Sequence, residues 1–272
     1  MPIGVFDSGI GGLTVAREVT TLMPREKIIY FGDTLHLPYG EKSKKKIQSF
    51  SLDIVNFLIK KKCKAIIIAC NSASSLSTNY LQKKIAKDHN VIIFNVIDPI
   101  INYLKKLKTK NHIGVIGTRA TIKSTVYEKK IFALKKNHSV VSLETPLLAP
   151  MIESSFYNES IKATIIKSYL DNPKLKKIDH LILGCTHYPL IESQINKIYK
   201  SKINIINSLK FTAEEVIQKL REKNLISKKK NQKKHEFFVS DLTKSFQESA
   251  KLFFNKEIIL KEKNIFNLND TI

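Results

Sequence analysis

Twice in this chain a short, unbroken run of apolar residues ends on a cysteine followed by small polar residues: AIIIACNS over 65–72 and HLILGCTH over 180–187. A run of this length without polar alternation reads as a strand buried on both faces, and such strands belong to parallel sheets covered by helices. The same rhythm recurs along the chain: an apolar run, a Gly, Ser, Thr or Asn cluster, then a longer amphipathic stretch. That is the pattern of βα units. Ile3 to Phe6, Lys27 to Phe31, Ala65 to Ala69 and Val91 to Asn95 read as strands. Leu13 to Leu22 (closed by Pro24), Lys44 to Lys61 and Ser74 to Ala86 read as helices.

At Asp98 and Pro99 the chain begins again. HIGVIGT over 112–118 matches the opening IGVFDS in its apolar run, its glycine and its terminal hydroxyl. Counted from Val5 and Val115, the two openings precede Cys70 and Cys185 by 65 and 70 residues, which points to an internal duplication. After it come a helix over Ala213 to Lys223, a Lys-rich linker through Lys234, a strand over Glu236 to Ser240, and Asp241 as N-cap of a helix reaching Phe254. This last segment has the length to complete one of the two sheets. The expected fold class is therefore α/β, with two similar domains around largely parallel central sheets: 1–97 plus 207–272, and 98–206. Open α/β sheets bind ligands beyond the carboxyl ends of their strands. DSG, CNS, GT and CTH all fall at such ends, so two facing domains would enclose an interdomain pocket.

The net charge of +22 raises the question of a polyanionic partner, but only four of the 46 basic residues are arginine (Arg17, Arg25, Arg119, Arg221) and the lysines are scattered. Arginine is the usual bidentate reader of phosphates and base edges, so the excess reads first as a solvated surface, one that also draws in an acidic substrate. Three cysteines (Cys63, Cys70, Cys185) cannot all pair with one another, and no C-x-x-C is present, which implies reduced thiols and a cytoplasmic location. The opening MPIGVFDSGIGG lacks the pattern of a signal peptide, and no apolar run approaches the roughly 18 to 20 residues of a spanning helix, so no membrane association is expected.

Cys70 and Cys185 sit where a strand gives out, whereas a structural cysteine usually sits inside its apolar run. A thiol is a plausible base at an amino acid's α-carbon, because its reference pKa of about 8.5 lies near neutrality. A single base returns a proton to the face it came from; two on opposite faces invert the centre. Paired thiols thus fit racemisation or epimerisation, whereas thioester hydrolysis normally wants one cysteine with an oriented base. Asp7, ending the first strand, could orient or take the proton of Cys70, or serve the following helix as N-cap. His187, two residues after Cys185, and Glu153, in a stretch that reads as a helix start, could tune Cys185. Gly9, Gly11 and Gly12 suit a tight turn and close backbone approach, since GIGG lacks the order of a dinucleotide site. Ser8, Asn71, Ser72, Thr118 and Thr186 would offer hydroxyl and amide groups to the substrate's amino and carboxylate groups.

On these residues the chain resembles the bacterial glutamate racemases over nearly its whole length. IGVFDSGIGGLTV (3–15), YFGDTLHLPYG (30–40), ACNSAS (69–74), GVIGTRAT (114–121) and LGCTHYPLI (183–191) are similar to the family's motifs. The resemblance implies two α/β domains in a pseudo-twofold arrangement facing across the active site, with no pyridoxal phosphate, other cofactor or metal. It implies that Cys70 takes the α-proton from D-glutamate and Cys185 from L-glutamate, with Asp7 assisting the first and Glu153 and His187 the second. Ser8, Pro38, Tyr39, Gly40, Asn71, Ser72, Thr118, Thr121 and Thr186 are implied as substrate contacts or the shell behind them, with Asp7 and His187 also at the substrate. D-glutamate for peptidoglycan, a bacterial cytoplasmic location and a homodimer follow from the same resemblance. The sequence departs from the family at Leu35 and His36, at Ser72, at Glu144 to Pro146, and at Asn207 and Ser208. Aspartate or hydantoin racemisation is the neighbouring alternative. Binding to nucleic acid or DNA gyrase is a reading of another class, kept as secondary because a pure binder has no need of paired thiols.

Overall fold

The computed structural model describes residues 1–85, 90–153, 158–228 and 234–266. The first half supplies strands β1 (Ile3–Asp7), β2 (Ile28–Gly32), β3 (Ala65–Ile68) and β4 (Ile92–Asn95), with helices α1 (Leu13–Leu22), α2 (Lys44–Lys60) and α3 (Asn71–Ile85) between them. The second half supplies α4 (Asp98–Lys106), β5 (His112–Gly117), α5 (Arg119–Lys123), α6 (Val126–Phe132), β6 (Ser139–Glu144), α7 (Leu148–Glu153), α8 (Glu159–Leu170), β7 (His180–Gly184), α9 (Glu192–Ile198) and β8 (Asn204–Ile206). The chain then runs through α10 (Leu209–Glu222), β9 (Glu236–Val239), α11 (Lys244–Phe254) and β10 (Leu260–Glu262).

Two sheets result, with strand orders β10-β9-β2-β1-β3-β4 and β6-β5-β7-β8. Every strand pair in both is parallel. In each, the opening strand lies between the second and third strands of its own half, so β2-β1-β3-β4 and β6-β5-β7-β8 are one topology used twice. The expected α/β class with two largely parallel sheets is what the chain adopts, and β9 and β10 extend the first sheet.

Alternate residues along each strand face opposite helical layers, as a pleat of period two requires. Ile3, Val5, Tyr30 and Ile67 pack with Leu13, Val19, Val216 and Phe253 of α1, α10 and α11. Phe6, Ile29, Phe31 and Ile68 pack with Ile47, Phe50, Ile54 and Leu81 of α2 and α3. In the second sheet Val115 and Ile182 meet Leu104, Tyr127 and Ile131. Ile116 and Leu183, on its other face, join Met151, Ile166 and Ile195 in the cluster that also holds Ile3 and Val5, so one apolar core runs through both halves.

Three boundaries differ from the sequence reading by more than one residue. The helix after Cys70 begins at Asn71 rather than Ser74, because Ser74 Oγ turns inward to donate to the Ile68 carbonyl at 2.9 Å and the small polar cluster winds up as the first turn. Its expected end at Ala86 and part of the Lys-rich linker lie outside the described residues. The helix expected from Ala213 begins at Leu209. The N-cap of α11 is Thr243, whose hydroxyl accepts from the Phe246 N–H at 3.2 Å. Asp241 is engaged elsewhere, its backbone N–H donating to Thr34 Oγ1 at 3.0 Å.

At Gly32 a Cβ would stand 2.1 Å from the Gly9 carbonyl oxygen. That oxygen is backbone and is fixed by the Tyr30 hydroxyl, which donates to it at 2.7 Å, so it has little room to yield. Gly32→Ala is expected to destabilise the fold by about 3 kcal/mol, the upper range of overpacking costs. Urea unfolding reads this as a lower midpoint at unchanged slope; a midpoint equal to the parent's would contradict it.

Candidate active site

The carboxyl ends of β1, β3, β5 and β7 converge, and the loops beyond them carry the residues singled out in the sequence. A small cavity of about 50 Å³ lies between the two sheets. Ser8, Pro38, Tyr39, Gly40, Cys70, Asn71, Ser72, Thr118, Glu153, Cys185, Thr186 and His187 line it, joined by Leu37, Ala149 and Pro150, which the sequence reading did not name. Both thiols are buried and unpaired. Of the expected residues, Asp7 and Thr121 stand behind this lining.

On one side, the Cys70 thiol donates to Ser8 Oγ and its sulphur accepts from the Ala73 N–H, both at 3.5 Å. Burial, and then the charge of Asp7, push the Cys70 pKa up to about 12. Asp7 is wholly buried: Oδ1 accepts from the Gly12 N–H at 3.2 Å, and Oδ2 has no partner among the described residues. Gly12 is the N-cap of α1, so Asp7 does serve that helix start, through a backbone N–H. Burial lifts the Asp7 pKa to about 6, with Glu153 adding to the rise and His187 and the backbone N–H bonds opposing it.

The other side is built differently. Cys185 Sγ lies 3.5 Å from His187 Nδ1, and His187 Nε2 lies 2.6 Å from Glu153 Oε1. Burial alone would lower the His187 pKa, but the Glu153 carboxylate and the Cys185 sulphur, through charge and hydrogen bonding, hold it well above 6.5. An imidazolium donates from both nitrogens, so His187 faces Glu153 with one N–H and the Cys185 sulphur with the other. The ring is held edge-on by Phe253 of α11, centroids 5.2 Å apart. Its other neighbour is Gly11, where a Cβ would fall 2.3 Å from His187 Cε1. The described glycines carry no positive φ, so DSGIGG needs its glycines for close approach and not for a left-handed turn.

Polar contacts join the halves around the cavity. Ser72 Oγ lies 2.8 Å from Thr118 Oγ1 and 3.5 Å from Thr121 Oγ1. The Thr14 hydroxyl donates to the Thr186 carbonyl at 3.1 Å, and the Tyr127 hydroxyl to Asn71 Oδ1 at 2.8 Å. Outside, Arg119 bridges to Glu41 at 2.9 Å.

Residues 13–216 match the sequence profile of the family described as Asp/Glu/Hydantoin racemase. A glutamate racemase of Persephonella marina is 40% identical over 262 residues, covering 96% of each chain. The chain belongs to the glutamate racemase family. Among solved structures, a glutamate racemase of Bacillus anthracis superposes with TM-score 0.89 at 37% identity, over 96% of this chain and 97% of that one. A glutamate racemase of Francisella tularensis, solved in complex with D-glutamate, gives 0.88 at 36% identity over 97% of each.

Against that family background the departures noted in the sequence find local partners. Ser72 keeps the hydroxyl that bridges to Thr118. Thr145 Oγ1 pairs with the Tyr188 hydroxyl at 2.7 Å and reaches the Gly117 carbonyl at 3.2 Å. Asn207 donates to Glu192 at 2.6 Å and accepts from the Leu209 N–H at 3.2 Å. His36 stacks on Phe50 with centroids 3.8 Å apart and meets the Asp33 carboxylate at 2.9 Å. That carboxylate is a residue the sequence reading missed: Tyr39 OH donates to it at 2.6 Å and Ser240 Oγ at 2.9 Å, tying a cavity-lining tyrosine to the end of β9. Its signal was available, since Asp33 follows β2 as Asp7 ends β1. Tyr127 and Phe253 were missed with less to go on, because each sits in an amphipathic stretch where an aromatic reads as core.

Among the described residues, no helix is long and apolar enough to cross a membrane, and no group of three or more His, Cys, Asp or Glu side chains could hold a metal ion.

Proposed function

We propose that this member of the family interconverts L- and D-glutamate by proton transfer between Cys70 and Cys185, with no cofactor. One observation carries the reading: two buried thiols at equivalent strand ends of a duplicated topology line a single cavity, each beside its own ionisable partner. One sulphur, as thiolate, accepts the α-proton; the other, as thiol, delivers a proton to the opposite face of the carbanion. Each turnover leaves the sulphurs with their protons exchanged. Cys70 would act on D-glutamate and Cys185 on L-glutamate. The imidazolium of His187, braced by Glu153, presents an N–H to the Cys185 sulphur. Asp7, poised near neutrality, can hold the proton that Cys70 must shed before it acts as base. Ser8, Asn71, Ser72, Thr118, Thr121, Thr186 and the Pro38–Gly40 loop would hold the amino acid's polar groups, aided by the N-termini of α1 and α3. The naming of the relatives supports glutamate. We also propose two domains, 1–97 plus 207–272 and 98–206, a bacterial cytoplasmic homodimer, and D-glutamate supply for peptidoglycan.

Circular dichroism of metal-free and pyridoxal-free protein with each enantiomer tests the reading. Decay of the signal from both, to zero, is expected. A stable signal with glutamate and a decaying one with aspartate would move the assignment to aspartate.

The Asp7 shift sets a pH dependence. Ionised Asp7 is the form that can take the Cys70 proton, so kcat/KM should rise with pH through about 6. Asp7→Asn is expected to lower the plateau by about 10²-fold and to remove that limb, as the loss of a proton-holding group implies; a limb surviving unchanged would assign it elsewhere. Stability carries the opposite sign. The folded pKa lies above the unfolded 3.8, so the folded state binds the proton more tightly, and this group's contribution declines as pH rises from about 4 to about 6. Asp7→Asn should erase that slope in denaturation measured across the window.

A further inference from the structure

We propose that Tyr127 is a positioning residue that fixes the Asn71 side-chain amide with its N–H groups toward the substrate, and that it does so across the two halves of the molecule. The inference rests on the racemase reading above and adds to it a residue that does not touch the cavity.

Tyr127 lies on α6 of the second half and is 1% exposed. Its hydroxyl donates to Asn71 Oδ1 at 2.8 Å. Asn71 opens α3, beside Cys70, and lines the cavity. Its Nδ2 is buried with no partner in the described structure. A buried donor left unpaired is costly and uncommon in native folds, and at a residue that lines a cavity a ligand that accepts from it accounts for it.

The reverse amide orientation is worse by simple counting. Nδ2 would then donate to the phenol oxygen, leaving both the Asn71 carbonyl and the phenol proton unpartnered, two orphans in place of one. Burial, and after it the negative charge at Cys185 and Asp98, hold the Tyr127 pKa far above its ordinary 10, so the proton stays in place to be donated. The amide that results presents only donors. It suits a carboxylate oxygen and repels an ammonium group, so it helps decide which end of the amino acid lies beside α3. Because Asn71 stands beyond β3 and Tyr127 beyond β5, this bond spans the two halves of the molecule.

Tyr127→Phe removes one hydroxyl and leaves the ring in the core. It is expected to raise KM for both enantiomers about fivefold, the worth of one hydrogen bond, with kcat within about twofold. In an Asn71→Ala background the same substitution should add no further penalty, because Tyr127 acts through the amide alone. An equal penalty in both backgrounds would overturn the proposal. A second readout needs no turnover: the ¹⁵N-labelled Asn71 side-chain amide signals should move in Tyr127→Phe, and signals that stay put would overturn it even if the wild type failed to racemise glutamate, an outcome that would overturn only the functional reading. Should Tyr127→Phe fail to fold, 3-fluorotyrosine at position 127, a stronger donor in the same place, decides through the same signals, which must shift.

Discussion

Replacing either cavity thiol by serine will abolish racemisation, lowering kcat/KM for both enantiomers by about 10³ or more, the cost of losing a positioned acid or base. Under the two-thiol reading each turnover uses both sulphurs, so one cannot stand in for the other; a hydroxyl in place of a thiol ionises far too weakly to accept the α-proton. The fold should tolerate both changes, since each sulphur makes only long contacts of 3.5 Å. Cys63 supplies the control. Burial pushes its pKa up to about 12, as it does for Cys70, yet it packs beside Gly4 in the core under α2 and does not line the cavity. Cys63→Ser should therefore keep full turnover. The measurement is decay of optical activity from each enantiomer at substrate well below KM, where the rate reads kcat/KM. Residual turnover above about one hundredth of the parent's in either Cys70→Ser or Cys185→Ser would sink the two-thiol reading.

Gly11→Ala is expected to cost about 10²-fold in kcat/KM, although Gly11 is not among the residues that line the cavity. The added methyl would lie 2.3 Å from His187 Cε1 and 2.6 Å from Nδ1 and from Thr186 Oγ1. Relief requires His187 to retreat by about an ångström, a displacement that in a catalytic constellation costs about that factor. The ring has no easy direction to go: Glu153 holds it at 2.6 Å and Phe253 flanks it edge-on at 5.2 Å. Stability should fall as well, by about 2 kcal/mol, as overpacking a closed site does. The separation of the two effects is measurable, because an activity loss that outlasts restored folding at low temperature belongs to His187. Activity within twofold of the parent would show that His187 has more freedom than this geometry gives it.

Much of this was legible in the sequence because burial on both faces leaves an unmistakable mark. AIIIAC and LILGC predict β3 and β7 nearly to the residue, and the repeat of HIGVIGT on IGVFDS anticipates the repeated strand order. What escaped was set by side chains acting across the fold. Asn71 to Ala73 read as lying before the helix because small polar residues usually make a loop, yet Ser74 satisfies the Ile68 carbonyl and lets the helix begin at once. Asp241 reads as a cap by residue type, but its backbone is already bound to Thr34, and Thr243 takes the role. Asp33, Tyr127 and Phe253 matter through partners 6, 56 and 66 positions away, at Tyr39, Asn71 and His187. Its place after a strand marks Asp33 as a candidate, but no local pattern announces the pairings of Tyr127 and Phe253.

The unlike neighbours of the two sulphurs, a lone carboxyl at one and a carboxylate-braced imidazolium at the other, meet a constraint that lies outside the protein. L- and D-glutamate have identical free energies in water, so kcat/KM in the two directions must be equal whatever stands beside each sulphur. The inequality can therefore appear only in how that common ratio is composed. The enantiomer favoured by the site as it stands binds with the lower KM and, by the same factor, turns over with the lower kcat. Under the two-thiol reading, two halves alike in topology and unlike at the sulphurs discriminate between mirror images in the time each remains bound, and never in the final yield.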